Sequence, residues 1–190
     1  MPRRSDKRDR LLDAAAQIFW KDGYAGTSLA DIANGSGVPL GNIYYYFKTK
    51  AEIAEGVADI FMAETLASLD EIDRTNDDPI DALRAFVSLL RDSAAIRAEL
   101  GCPLARGVRD FSDPAPQASQ KVNDVFETLI GWLSQTLSRA GHRQAVRQAR
   151  SAIARWQGAI VLAHSAGQET VLLEALTDLE ADLLALIRKT

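Results

Sequence analysis

Residues 38–50, VPLGNIYYYFKTK, bring together side chains that are suited to binding a nucleic acid. Three consecutive tyrosines follow Asn42 and Ile43, and Lys48 and Lys50 come directly after Phe47. Tyrosine hydroxyls and asparagine amides hydrogen-bond to phosphates and base edges, whereas lysine ammonium groups bind phosphates. The stretch therefore indicates a surface that contacts a polyanion.

A helical wheel predicts which of these side chains face outward. At about 100° per residue, Leu40, Ile43 and Phe47 share one stripe, so Ile43 and Phe47 are expected to anchor the helix in the core. The positions that point away from the anchor are Gly41, Asn42, Tyr44 and Tyr45, with Tyr46 at the edge. Gly41 lies within the outward face, where the missing side chain lets backbone approach another surface closely.

Two further helices are predicted in front of this one. Apolar residues of one amphipathic stripe precede Gly23, which stands at a C-terminal cap position; they are Leu11, Ala15, Ile18 and Phe19. Ser28 and Asp31 resemble a capping box that opens a short second helix. Two short helices joined by NGSG predict a helix-turn-helix unit, whose second helix enters the DNA major groove. A helix pair that binds no DNA has the same spacing and remains the alternative.

Helical periodicity continues along the rest of the chain and predicts an all-α fold. A Thr49–Glu52 capping box opens a fourth helix that runs to about Thr75, and Asp78 with Pro79 opens a long helix ending near LGCP. Later helices are predicted from about Val122 to Gly141, over 143–165, and through the leucine-rich C-terminal segment. We expect a DNA-binding domain over 1–50 and a ligand-binding and dimerisation domain over 51–190.

Composition narrows the function further. The 190 residues include one cysteine and two histidines, so an intrachain disulfide is impossible and a cysteine zinc site is not expected. Neither a signal peptide nor a run of about 20 apolar residues is present, which predicts a cytoplasmic protein. Residues 1–50 carry an excess of positive charge although the whole chain has a net charge of −4. A basic head on an acidic body indicates one module that binds a polyanion and one that does not.

Other classes of protein fit the sequence less well. The chain shows no nucleophile–base pair, metal cluster or phosphate-binding loop, so we expect neither an enzyme nor a cofactor. An enzyme regulated by its N-terminal unit is one alternative. An architectural DNA binder without an effector is another, and the acidic body argues against it because such proteins tend to be basic throughout.

Residues 8–55 closely resemble the DNA-binding domain of the tetracycline-repressor-like (TetR) family. The resemblance is carried by the segments AAAQIFWKDGYAGTS, IANGSGV and GNIYYYFKTKAEI, in which glycine, tyrosine, phenylalanine and lysine fall at the family spacing. Two positions depart from the family pattern. Pro39 stands where many members have serine, so a side-chain cap is lost, and Gly35 replaces the usual alanine, which is expected to loosen the end of the second helix.

The resemblance implies roles for individual residues. Hydroxyls at the start of the second helix, those of Thr27 and Ser28, are expected to bind phosphate. Base-facing positions are Leu40, Gly41, Asn42 and Tyr45, and contacts to the DNA backbone fall to Tyr44, Tyr46 and Lys50. Lys48 is added to the backbone contacts because of its positive charge at the end of the helix. A basic arm with Arg3, Arg4, Lys7 and Arg8 either reaches an adjacent minor groove or remains solvated. Because no Arg or Gln stands on the outward face, specificity is expected to rest on Asn42, apolar contacts and DNA shape.

For the C-terminal domain, the resemblance implies a homodimer formed through the last two helices, with an internal bundle without a partner as the alternative, and a small-molecule pocket between the middle helices. Candidate pocket residues are Phe86, Leu90, Cys102, Phe126, Trp132 and Trp156, with plain core packing as the alternative. Cys102 is either a redox or electrophile sensor or an inert buried thiol. Arg106 and Arg109 either balance an anionic ligand or are solvated, and His164 either offers a polar contact beside Trp156 or is a satisfied buried histidine.

Together these features predict a ligand-responsive transcriptional regulator, most naturally a repressor. It is expected to bind a palindromic double-stranded operator as a homodimer and to be released when a small-molecule effector shifts the fourth helix.

Overall fold

The computed structural model describes residues 4–187, and side-chain surroundings for residues 6–185. Over this range the chain is all-α, as predicted, and contains no β-strand. The helices are α1 Arg4–Asp22, α2 Leu29–Ser36, α3 Leu40–Tyr46, α4 Lys50–Thr75, α5 Pro79–Asp92, α6 Ala94–Leu100, α7 Pro103–Phe111, α8 Pro116–Arg139, α9 Ala145–Ala166 and α10 Glu169–Ile187.

The chain divides into two compact units. One comprises the described residues up to Glu64 together with Pro103–Val125, and the other comprises Thr65–Cys102 with the described residues from Phe126 onward. Of the three divisions along the chain, two fall inside the long helices α4 and α8, and the third falls between α6 and α7. The functional boundary at residue 50 is a different kind of boundary and stays a prediction.

The first unit is built on α1. Its predicted apolar stripe is buried at Leu11, Ala15 and Phe19, and Ile18 is half-buried. Gly23 ends the helix with a φ of 81°, a left-handed conformation that glycine adopts without steric penalty. The ring of Phe19 packs against Tyr24 and against Phe111 of α7, so an aromatic cluster joins α1 to α7.

The start of α4 departs in one detail from the predicted capping box. The Thr49 hydroxyl accepts a hydrogen bond from the Glu52 N–H at 3.1 Å, as expected. The Glu52 carboxylate, however, accepts from the N–H of Lys48 at 2.8 Å. The carboxylate therefore caps the residue before Thr49, and the chain is tied down at the point where α3 leads into α4.

The second unit shows one error in the predicted helices. Asp78 caps α5 and Pro79 begins it, as expected, but the single long helix predicted up to LGCP is divided at Ser93 into α5 and α6. The Ser93 hydroxyl donates to the Leu90 carbonyl at 3.0 Å and accepts from Arg97 at 2.8 Å. A serine that bonds locally in this way competes with the helical hydrogen bonds and ends α5.

Sequence periodicity also left α7 unassigned. This helix has only nine residues, and its buried face consists of Leu104, Gly107 and Phe111. Within the described part of the chain, no helix is both long and apolar enough to cross a membrane.

Candidate nucleic-acid interface

The orientation predicted for α3 is confirmed. Ile43 and Phe47 are buried and fix the helix to the first unit. Tyr44 and Tyr45, which point away from this anchor, expose 60% and 63% of their surface, and Leu40, on the stripe of Ile43 but at the start of the helix, exposes 44%. Burying a tyrosine ring is favourable, so two adjacent rings left in solvent mark this face as a surface for a partner.

The remaining side chains of α3 complete that face. Gly41 is exposed, and a Cβ built on it would meet no atom within 4 Å. Asn42 and Tyr46 are half-buried, and the Tyr46 ring packs edge-on against Tyr45 with centroids 5.2 Å apart. The two rings therefore hold each other in place. We call the side chains at positions 40, 41, 42, 44, 45 and 46 the α3 face.

Capping interactions define both ends of α2, the helix directly before α3. Ser28 and Asp31 form the expected capping box at the start of α2, and Gly37 ends it in the left-handed conformation with a φ of 64°. Pro39 precedes α3 without a side-chain cap, as the sequence indicated. A Cβ on Gly35 would come within 3.1 Å of Cδ1 of Ile18, so the glycine allows α2 to lie close against α1.

Hydrogen bonding at Asp31 has an electrostatic consequence. The Asp31 carboxylate accepts from the Ser28 hydroxyl at 2.6 Å and from the Ser28 N–H at 2.8 Å. These bonds stabilise the ionised form and hold the pKa of Asp31 below its ordinary value. The start of α2 thus carries a fixed negative charge, and the Ser28 hydroxyl is already used in the cap.

The Thr27 side chain does not lie on the exposed surface where a phosphate contact was predicted for it. It is buried, and its hydroxyl donates to the Gly23 carbonyl at 2.7 Å. A hydroxyl that is sealed inside and already bonded is not available to an external phosphate. In this structure it stabilises the turn between α1 and α2.

The two lysines after α3 differ in their surroundings. Lys48 is exposed. The Lys50 ammonium donates to the carbonyls of Tyr24 and Thr27 at 2.7 and 2.8 Å, and its nitrogen lies 4.1 Å from the centroid of the Tyr24 ring. Partial burial lowers the pKa of Lys50. Lys50 thus holds the α1–α2 turn from within, a contact that the sequence did not indicate.

The basic arm is described only in part. Arg3 and the side chain of Arg4 lie outside the described residues. Lys7 is half-buried and Arg8 is exposed, with its guanidinium carbon 5.4 Å from the centroid of the Phe47 ring. Arg8 therefore lies beside the end of α3, near the exposed Lys48.

The candidate pocket residues all lie in the second unit. Five of them are buried, and Phe126 is half-buried. Phe86 packs on Trp132 with centroids 5.2 Å apart, and the Trp132 indole donates to Asp73 at 3.0 Å. The structure thus brings Phe86 and Trp132 together in the core.

Cys102 and Trp156 form a separate pair, joined by Arg97. The Arg97 guanidinium lies over the Trp156 ring at 5.0 Å, and its Nη1 is 3.5 Å from the Cys102 Sγ. The Trp156 Nε1 is buried without a hydrogen-bond partner among the described residues. His164 is exposed, and its Nδ1 lies 3.1 Å from the Ala98 carbonyl, so the expectation of a buried histidine is wrong.

The two arginines after Cys102 are engaged elsewhere. Arg109 is largely exposed and pairs with Asp110 at 2.9 Å. Arg106 donates to the carbonyls of Trp20 and Lys21 at the end of α1. Its role there was missed because the partner carbonyls are distant in sequence; the spacing of Arg106 and Asp110 on one helix was the only local signal. No cluster of three metal-ligating side chains occurs among the described residues.

A groove of about 250 Å³ lies on the second unit between α9 and α10. Its walls include Ser151 and Leu179, together with an ion pair between Arg155 and Asp182 at 2.8 Å. The groove contains none of the six candidate pocket residues.

Comparison with known proteins supplies the family. Residues 11–57 match the profile "Bacterial regulatory proteins, tetR family", and residues 79–177 match "Transcriptional regulator LmrA/YxaF-like, C-terminal domain". An uncharacterized HTH-type transcriptional regulator in the lacX 3' region of Lactococcus lactis subsp. lactis is 27% identical over 163 residues, which cover 82% of each chain. The HTH-type transcriptional repressor KstR2 of Mycolicibacterium smegmatis is 32% identical over 79 residues, 42% of this chain and 38% of that protein.

The fold agrees with these matches. The crystal structure of a TetR-family transcriptional regulator from Agrobacterium tumefaciens superposes with a TM-score of 0.83, covers 94% of this chain and 97% of its own, and is 22% identical. The first profile covers the helices that carry the α3 face, and the second spans more than half of the chain. The chain therefore belongs to the TetR family of DNA-binding transcriptional regulators.

Proposed function

We propose that this chain is a ligand-responsive repressor that binds a palindromic DNA operator as a homodimer and leaves it when a small-molecule effector binds. The observation that carries the proposal is the α3 face, on which Tyr44, Tyr45 and Leu40 stand in solvent around the open backbone of Gly41. An exposed helix of this kind fits the major groove, and the relative KstR2 is named a repressor.

The α3 face supports a division of roles on DNA. Leu40, Asn42 and Tyr45 read base edges and thymine methyl groups, and Gly41 lets the helix backbone come close to the DNA. The hydroxyls of Tyr44 and Tyr46 bind the sugar-phosphate backbone, together with the exposed ammonium of Lys48. Ser28 is left out of this set, because its N–H and its hydroxyl both donate to Asp31 in the cap of α2.

Lys50 and Thr27 are not assigned a direct contact with DNA. Because the Thr27 hydroxyl is buried and the Lys50 ammonium already holds two carbonyls, we assign both residues to positioning the α1–α2 turn. Their loss affects DNA binding through the orientation of α2 and α3.

The outer face of α9 supports dimerisation. Val161 and Leu162 expose 65% and 63% of their surface, and a Cβ on the exposed Gly158 would meet no atom within 4 Å. Small and apolar residues exposed on one helix allow a second helix to approach closely, and a symmetric pair through α9 and α10 buries them. A dimer also matches a palindromic operator, because each subunit then reads one half-site.

The second unit supports effector binding less directly. The Trp156 indole N–H is buried without a partner, and the adjacent Arg97 guanidinium bonds only to the neutral groups of Ser93 and Cys102 among the described residues. A small molecule with a hydrogen-bond acceptor would satisfy the indole. Its differential affinity for the form that does not bind DNA, typically about 1–3 kcal/mol, would then release the operator.

DNA binding is tested with a duplex selected by the purified protein from a random library. Fluorescence anisotropy at several salt concentrations is expected to give a steep salt dependence, because bound phosphates release counterions. Lys48→Ala is expected to weaken binding to all sequences alike and to reduce the logarithmic salt slope by roughly 1. Arg84→Ala, which removes an exposed arginine of α5, is the control and is expected to leave both quantities unchanged.

Failure to enrich any duplex, or a Lys48→Ala variant with the affinity and salt slope of the wild type, would contradict the proposal. The effector is sought separately by screening small molecules for those that raise the melting temperature of the protein, since a ligand that binds the folded state stabilises it. A true effector must also release the selected duplex.

A further inference from the structure

The C-terminal end of α1 is held by a side chain from α7. Nη1 of Arg106 donates to the Trp20 carbonyl at 2.8 Å and to the Lys21 carbonyl at 3.3 Å. Both carbonyls lie in the last turn of α1, where the helix itself offers no partner, and a cation is favourable at a helix C-terminus. Arg106 therefore caps α1 from a segment more than 80 residues further along the chain.

Arg106 is itself held in place. Its Nε lies 3.3 Å from the Asp110 carboxylate, one turn further along α7, and both side chains are largely buried. The backbone of Gly23 passes directly over this ion pair, because a Cβ there would meet Nη2 of Arg106 at 3.0 Å and the Asp110 carboxylate at 3.1 Å. The arginine thus has little freedom to follow α1 if α1 moves.

Phe111 strengthens the same junction. Its ring packs edge-on against Phe19 at the end of α1, at 5.8 Å, and against Tyr24 in the turn, at 5.5 Å. Arg106 and Phe111 lie on one short helix, so a displacement of α7 acts on the cap and on the aromatic contacts together.

The far side of the turn is also fixed. Lys50 donates to the carbonyls of Tyr24 and Thr27, and Thr27 is the residue before the cap of α2. Arg106 of α7 therefore holds the end of α1 directly before the turn of residues 23–27, and Lys50 of α4 holds the turn itself. Any change in the position of α7 must break the bonds of Arg106 or move the end of α1, and α2 and α3 follow from that turn.

We propose that Arg106 is a positioning residue through which α7 sets the orientation of α2 and α3 on DNA. This inference rests on the proposed function, in which the α3 face reads DNA. According to this proposal, α7 influences the orientation of α2 and α3 through its contacts with α1, and this influence does not pass through α4. Arg106 acts through the turn and touches no DNA.

Hydrogen exchange on the full-length protein tests the contact without DNA. In Arg106→Ala, peptides covering residues 20–28 are expected to exchange at least about tenfold faster, because the carbonyl cap that restrains local opening is gone. Arg109→Ala is the matched control, since Arg109 lies on the same helix and pairs with the same Asp110 but is 74% exposed. It is expected to leave these peptides unchanged, and Arg106→Lys, which keeps the charge, is expected to be intermediate.

Operator binding tests the consequence. With the selected duplex, Arg106→Ala is expected to lose roughly tenfold or more in affinity for the full operator but to bind a single half-site within about twofold of the wild type. It is also expected to discriminate less against operators whose half-sites are moved by about one base pair. A variant that merely unfolds the reading helices would lose the half-site equally.

The proposal is overturned if Arg106→Ala exchanges like Arg109→Ala over residues 20–28, or if half-site and full-operator binding fall by the same factor. Should Arg106→Ala fail to fold, Arg106→Lys and Asp110→Asn provide the same comparison. If the wild type selects no duplex, the proposed function fails, while the exchange experiment still decides whether Arg106 holds the turn.

Discussion

Tyr44 and Tyr45 are adjacent in sequence but can contribute to binding in different ways. Both rings stand in solvent, and the Tyr45 ring is braced by Tyr46 at 5.2 Å. In the proposed complex, the Tyr44 hydroxyl bonds to a phosphate, whereas the Tyr45 ring contacts bases. The hydroxyl and the ring can be removed separately, so the two contributions are separable by mutation.

Tyr44→Phe is expected to weaken binding of the selected duplex by about 3- to 10-fold, the usual loss for one hydrogen bond. Tyr45→Ala is expected to weaken it more and to change which bases are preferred, because the ring contact is lost. Anisotropy titrations on the selected duplex and its single-base variants measure both effects. Melting temperatures serve as the control: Tyr44→Phe should leave the melting temperature unchanged, and Tyr45→Ala, which also loses the contact with Tyr46, should remain folded with a small decrease. Wild-type affinity in both variants would contradict the assignment.

Asp31 gives a pH-dependent prediction at the same scale. Its folded-state pKa is lowered, mainly by the bond from the Ser28 hydroxyl, so the cap stabilises the protein fully above the ordinary value of 3.8. That stability is lost as the pH falls through the lowered folded-state value. Urea unfolding of wild type and Asp31→Asn from neutral to strongly acidic pH is expected to show a stability difference that disappears at the acid end.

The exposed Asp113 supplies the matched control for this experiment. Asp113→Asn replaces a carboxylate outside the capping box and is expected to track the wild type through the pH range in which Asp31→Asn diverges. An Asp31→Asn difference that stays constant down to the acid limit would show that the ionised carboxylate is not what stabilises α2.

At the level of elements, sequence periodicity and capping patterns predicted the features that are determined by residues within a single helix. The buried stripe of α1, the caps of α2 and α5, and the outward face of α3 all follow from residues within four positions of each other. The short helix α7 did not follow, because one of its three buried positions is Gly107 and its apolar stripe is therefore incomplete. The break at Ser93 did not follow either, because it depends on local hydrogen bonds of the serine side chain and leaves the apolar spacing unchanged. The roles of Lys50 and Arg106 depend on carbonyls 23 to 86 residues away, which only the folded chain brings close.

A substitution at Gly41 is expected to change the stability of the protein and its affinity for DNA in opposite directions. Because a Cβ there meets no atom within 4 Å, Gly41→Ala is expected to stabilise the protein by about 0.5–1 kcal/mol through helix propensity. The same methyl group would lie between the helix backbone and DNA, so affinity for the selected duplex is expected to fall. Thermal unfolding and anisotropy measure the two effects, which should have opposite signs.

Gly131→Ala is the control for this comparison. Gly131 lies within α8, and a Cβ there also meets no atom within 4 Å, so a similar stabilisation is expected without a change in DNA affinity. If Gly41→Ala bound the duplex as tightly as Gly131→Ala, a close approach of the α3 backbone to DNA would be ruled out.

At the level of the whole molecule, the two units carry different surfaces. The first presents the α3 face beside Lys48 and Arg8, and the second presents the exposed apolar residues of α9. In the proposed dimer each surface depends on the other for function. A single reading unit contacts one half-site, and pairing two units on one duplex raises the affinity through a high effective concentration.

Leu162→Arg tests this dependence, because it places two charges in the middle of the symmetric contact, one from each subunit. The variant is expected to be monomeric in light scattering at concentrations where the wild type is a dimer, since an unpaired buried charge is strongly unfavourable. Leu66→Arg, at an exposed leucine of α4, is the control and should remain dimeric.

The monomeric Leu162→Arg variant should keep wild-type affinity for a half-site duplex and lose at least about tenfold in affinity for the full operator. A Leu162→Arg variant that stayed dimeric would move the contact away from the outer face of α9, and a monomer that bound the full operator as tightly as the dimer would show that pairing contributes nothing to recognition.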